Sequence, residues 1–149
     1  MTYPKNLTDS RRRRLITLLE EAVALIPSST FEAYGAFSFR QDSDFYYFTG
    51  SEIPNSWLVL DSSQESATMY IPRRDERFYR KGRENAFPGR TFNIKKVSEA
   101  TGIDIEPMSK LSKDLGGRKK IWANFGSQWD KKKETQCNLD LGGGLNLHR

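Results

Sequence analysis

The stretch Phe39-Arg40-Gln41-Asp42-Ser43-Asp44-Phe45-Tyr46-Tyr47-Phe48-Thr49-Gly50 sets a dense charged segment directly against an aromatic one that ends at glycine. Arg40, Asp42 and Asp44 put one guanidinium beside two carboxylates, which suits a turn closed by side-chain hydrogen bonds and charge pairing. Phe45 to Thr49 is aromatic or β-branched throughout, and that composition predicts a pleated, largely buried strand. The segment therefore reads as a charged turn followed by a strand.

Downstream, two apolar runs, Trp57 to Leu60 and Thr68 to Ile71, flank the polar sequence Asp61-Ser62-Ser63-Gln64-Glu65-Ser66, which predicts a hairpin. Residues 76 to 91, with Gly82, Pro88 and Gly89, read as irregular or briefly helical. Pro107 at a first-turn position, then Met108, Leu111 and Leu115, and Gly116-Gly117 as a stop predict a short helix. Lys120 to Phe125, centred on Ile121 and Trp122, predicts another strand. Upstream, Leu15, Leu18, Leu19, Ala22, Val23 and Ile26 fall on one helical face that Thr8, Asp9 or Ser10 can cap and Pro27 ends. Arg11 to Arg14 then lie near the start of that helix, against its macrodipole, and need water, a carboxylate or a partner surface to lean on. The helix is expected to be the packed outer layer of the domain. Helices among strands imply an α/β fold, a layered mixed β-sheet flanked by helices.

The quoted segment resembles the signature of the N-terminal domain of the Xaa-Pro aminopeptidase (aminopeptidase P) and creatinase group. The family's pattern continues in Ser51-Glu52-Ile53-Pro54-Asn55, in Trp57-Leu58-Val59-Leu60 and in Met69-Tyr70-Ile71-Pro72-Arg73-Arg74-Asp75. The signature residues are Phe39, Arg40, Gln41, Asp42, Ser43, Asp44, Phe45, Tyr46, Tyr47, Thr49, Gly50, Pro72, Arg73 and Asp75, expected to be structural, with Asp42 and Asp44 paired to Arg40. The resemblance covers residues 9 to 85 by motif and continues to residue 125 by pattern. It also implies a creatinase N-terminal-domain-like fold, with a further apolar strand before Phe39. Only Phe31 to Phe37 is on hand for that strand, so it is expected to be replaced or missing. At Arg77-Phe78-Tyr79-Arg80-Lys81-Gly82-Arg83 the family's tryptophan is absent.

The 149 residues suffice for one domain. Residues 1–126 are expected to form it. Residues 127–149, charged and then glycine-rich, read as a linker or disordered tail with the catalytic domain absent. An apolar fraction of 36% and a mean hydropathy of −0.71 are low for a self-sufficient globule. No run of about 18 apolar residues exists, so no membrane partner is expected, and the single Cys137 fits a reducing, cytoplasmic location. A net charge of +5 and clusters at 11–14, 73–83, 118–120 and 131–133 make a nucleic-acid surface conceivable. Interspersed acids at Glu20, Glu21, Asp75, Glu76 and Glu84, and the lack of a nucleic-acid module, argue against it.

The resembled aminopeptidases release an N-terminal residue before proline, using two metal ions, usually manganese, held by carboxylates and histidine in a C-terminal catalytic domain. Here the one histidine is His148, and the two carboxylates of Asp42 and Asp44 do not by themselves make an octahedral or seven-coordinate metal site. No catalytic residue, metal ligand or cofactor of this chain itself is therefore expected. The leading expectation is a non-catalytic accessory and association domain, partnered by an aminopeptidase catalytic domain or by further copies in a homo-oligomer. Trp57, Phe78, Tyr79 and Trp122 are the candidate interface aromatics, with Trp57 and Trp122 expected in the core. The alternatives are activity only alongside a separate catalytic domain, and a basic nucleic-acid-binding module.

Overall fold

The structure, a computed structural model, describes residues 4–29, 41–72, 94–118, 120–123 and 147–148. In chain order the elements are α1 (Lys5–Leu18), β1 (Val23–Pro27), α2 (Ser43–Thr49), β2 (Trp57–Asp61), β3 (Ser66–Ile71), α3 (Ile94–Thr101) and β4 (Asp104–Pro107). A 3-10 turn (Met108–Lys110), α4 (Leu111–Leu115), β5 (Ile121–Ala123) and β6 (Leu147–His148) follow. The strands form one sheet in the order β4-β3-β2-β1-β5-β6. Antiparallel pairing joins β1 to β2 and β2 to β3, whereas β1–β5, β3–β4 and β5–β6 are parallel. The fold is the expected α/β mixed sheet.

The hairpin lies where the sequence puts it, with Trp57 opposite Tyr70 and Asp61 opposite Ser66. Asp61 accepts from the N–H groups of Ser63 and Gln64, which fixes the turn and hence the register. The short helix ahead of Gly116 and the strand about Ile121 also form as predicted.

Upstream the structure corrects the reading. One long helix through Ile26 is not formed: α1 ends at Leu18, and Val23–Pro27 is a fully buried strand. Glu20 and Glu21 take φ of 45° and 60°, a left-handed bend that no helix passes through. The further strand implied by the resemblance is therefore β1 and is neither missing nor replaced; Phe31 to Phe37 lies outside the described residues. Thr8, Asp9 and Ser10 do not cap the helix, because it starts four or more residues earlier, after Pro4, with no side-chain cap. The arginines consequently sit past its first turn, where the macrodipole no longer opposes them strongly.

The aromatic run is likewise not a strand. Residues 43–49 form α2, with Asp42 as N-cap accepting from the N–H groups of Asp44 and Phe45, and Gly50 closing it at φ 64°. Phe45 and Thr49, four apart, are buried while Tyr47 is exposed, which is helical spacing.

One sheet face, of Ala24, Ile26, Leu58, Leu60, Met69 and Ile71, packs under α1, α2 and α3 through Leu15, Phe45 and Val97, with Leu19 and Ile103 just past the ends of α1 and α3. The other, of Val23, Leu25, Trp57, Val59, Tyr70 and Ile121, is covered by Leu111 and Leu115 of α4 with Met108. Each large apolar side chain buried so contributes about 1.5–3 kcal/mol. Trp57 is in this core as expected, but Trp122 is 37% exposed, because β5 turns Ile121 inward and its neighbour outward. β6 adds Leu147 and His148 beside Ile121 and Trp122, a pairing no periodicity announced.

Candidate functional site

The signature segment works as a staple between elements. The Gln41 side-chain oxygen accepts from the N–H of Ser29 at 2.8 Å and of Asp42 at 2.9 Å, and its amide donates to the Ile53 carbonyl at 3.0 Å. The segment after β1 is thus tied to the loop that leads into β2. Ser28 continues the tie: its hydroxyl oxygen accepts from the Ser56 N–H at 2.7 Å. Asp42 points its carboxylate at the first turn of α2, and Asp44 puts a second acid at that positive helix end. Ser43 is exposed and Tyr46 half-buried. The Thr49 hydroxyl donates to the Phe45 carbonyl and accepts from the Ser51 N–H, which turns the chain after Gly50. Pro72 follows β3 and is half-buried. Phe39, Arg40, Arg73 and Asp75 lie outside the described residues, as do Phe78 and Tyr79.

A second feature was not legible in the sequence. Arg12, 1% exposed, donates to the Phe48 carbonyl at 2.8 Å and the Thr101 carbonyl at 3.0 Å, with the Asp9 carboxylate 3.5 Å away. Its guanidinium meets the negative ends of two helices at once and so clasps α1, α2 and α3. Burial pulls its pKa below the usual arginine value, against the raising effect of Asp9. Of its neighbours, Arg13 pairs with Asp9 at 2.8 Å, and Arg11 donates to the Tyr47 carbonyl at 2.9 Å while its guanidinium lies 3.9 Å from the Tyr47 ring centre. Three adjacent arginines thus have different surroundings.

A groove of about 880 Å³ is lined by β3 and β4, by Ile94 to Glu99 of α3 and by Asp114 and Leu115 of α4. Three of its five acids are committed, Asp61 to Arg118, Asp114 to the Tyr70 hydroxyl at 2.8 Å and Glu106 to Lys110 at 2.7 Å. Burial first, then the hydrogen bond to Asp114, raises the pKa of Tyr70. The hydrogen bond to Glu106 raises that of Lys110. Among the described residues no three of His, Cys, Asp or Glu gather as a metal ion needs. These residues do not fit the manganese that the resemblance implies for a catalytic domain. Among them, too, no helix is long and apolar enough to cross a membrane.

With this geometry in view, comparison with known proteins is consistent throughout. The profile for "Aminopeptidase P, N-terminal domain" matches residues 8–122. The chain is 30% identical over 110 residues to intermediate cleaving peptidase 55, mitochondrial, of Arabidopsis thaliana, covering 70% of this chain and 21% of that protein. A variant of Escherichia coli aminopeptidase P superposes with a TM-score of 0.70 at 25% identity, over 95% of this chain and 33% of that one. A Bacillus anthracis protein assigned to aminopeptidase P shares the fold at a TM-score of 0.71 and 15% identity, over 98% of this chain and 38% of its own. The chain therefore spans about a fifth of the curated relative and about a third of the solved structures it matches. A match over most of the chain makes it a member of the aminopeptidase P N-terminal domain family.

Proposed function

We propose that this domain is a non-catalytic accessory and association unit of an Xaa-Pro aminopeptidase, packing on a catalytic domain or joining copies into a homo-oligomer. The observation that carries the reading is the extent of the match: the N-terminal domain profile covers residues 8–122, and the matched aminopeptidases are about three times longer. Release of an N-terminal residue before proline, with manganese, is on this reading the work of the catalytic domain. The relatives support a peptidase context, since one is named a cleaving peptidase and Escherichia coli aminopeptidase P has been solved in complex with substrate. A cytoplasmic location belongs to the same proposal. Because the Arabidopsis relative is mitochondrial, cell fractionation separates the two compartments.

The test has two arms. The purified chain is incubated with manganese and a Xaa-Pro peptide, and bound metal and cleavage are measured together; no turnover is expected. Light scattering then follows the chain alone and mixed with a full-length aminopeptidase P from the same organism, and a larger assembly is expected. Metal-dependent turnover by the chain alone overturns the reading.

A further inference from the structure

Leu7, Arg11, Arg14 and Leu18 are spaced i, i+4, i+7 and i+11 on α1, which brings them within an arc of about 60° and along about 16 Å. The helix buries a different side, through Thr8 and Arg12, with Leu19 buried just past its end. Leu7 is 41% exposed and Leu18 70%, and both bracket the two arginines. Beside them stands Tyr47 of α2, 46% exposed, with the Arg11 guanidinium stacked on its ring. A single exposed leucine is ordinary surface. A stacked tyrosine–arginine pair has the composition of an interface anchor whose geometry is already set, and the two leucines on the same stripe give it an apolar border at each end.

The charge of the stripe selects its occupant. Arg14 has no partner among the described residues, and Asp9, the acid of this helix, is turned to Arg13 and Arg12 on another side. A second copy related by a two-fold axis would bring Arg11 and Arg14 against their own counterparts, which is repulsive. Two leucines separated by two arginines make no continuous apolar face for a bilayer. Leucine at both ends offers nothing to a phosphate backbone.

We propose that the Leu7–Arg11–Arg14–Leu18 stripe with Tyr47 docks a protein partner whose surface places carboxylates between two apolar pockets, as an acidic amphipathic helix does. The proposal gives a place to the association function above and rests on that reading for its biological setting.

The probe is a synthetic amphipathic helix with leucines at matching spacing and glutamates between them, titrated into the isotope-labelled protein and followed by NMR. Expected are shifts confined to residues 7–18 and 47, and an affinity of about 10–100 μM, since the surface is small. Leu18→Glu and Arg14→Glu should each weaken binding about tenfold. Both residues face solvent, and circular dichroism confirms the fold; Tyr47→Ala is the second variant should either fail. Binding that these substitutions leave unchanged, shifts elsewhere, equal binding of the lysine version of the peptide, or tighter binding to a DNA duplex or phosphatidylserine vesicles each overturn the proposal. Absence of any shift at about 1 mM peptide overturns it too, because that is beyond the range of a specific weak interface. The two readings fail separately: association with full-length aminopeptidase P that survives Leu18→Glu defeats the stripe alone. Peptide binding without that association defeats the accessory reading alone.

Discussion

The two faces of the sheet are held by different means. One is roofed, among the described residues, by α1, α2 and α3, which converge on a buried cation, Arg12, over a core running from Leu19 to Ile103. The other carries, among the described residues, one 3-10 turn and the five-residue α4, fastened at its edge by Tyr70 to Asp114 and Asp61 to Arg118. Directional bonds to helix ends make the first face a unit that must be complete. The second is a small apolar lid with polar fastenings, and it leaves the groove beside it open.

The contrast can be broken at its strongest point first. Arg12→Met leaves the Phe48 and Thr101 carbonyls without their donor and should lower stability by about 3–5 kcal/mol in denaturant titration, with m unchanged. On the opposite face Leu111→Ala should cost about 2–4 kcal/mol by the same measurement, because it opens a cavity under a short element that can partly collapse. Equal losses for the two would erase the asymmetry.

Tyr70→Phe sharpens the comparison and should cost about 1–2 kcal/mol near neutrality. Its pH dependence follows from the raised pKa. The stabilisation from the protonated phenol is whole below the unfolded value near pH 10 and is lost as pH rises toward the higher folded value. Unfolding curves between about pH 9 and 11 should therefore fall less steeply for Tyr70→Phe than for the parent. The smallest effect is expected at Asp42→Ala, about 1 kcal/mol, since one cap of one short helix is lost while Gln41 still holds the loop.

These elements also show what the sequence makes legible. The hairpin was readable because its apolar runs and polar turn agree at every level, and so was α4, with Pro107 before it and Gly116 after it. The course of residues 15–26 was not, because Leu15, Leu19, Ala22 and Ile26 suit a helical face while Val23 to Pro27 is also an unbroken apolar run. What decides is the bend at Glu20 and Glu21, two residues that carry no turn signal. In α2 the signals were present, Asp42 at the cap and Gly50 at the end, yet aromatic composition outweighed them although it is a weak guide to backbone state. The clasp at Arg12 and the stripe at Leu7 to Leu18 both depend on which side of α1 meets the sheet, and residue type alone does not reveal that.

The clasp has one more consequence, in time rather than in space. A guanidinium bound to carbonyls 36 and 89 residues away along the chain cannot release one helix without loosening its hold on the other. The last turns of α2 and α3 should thus share a single opening event, and their amide hydrogens should exchange with matching protection while the β2–β3 turn exchanges on its own faster clock.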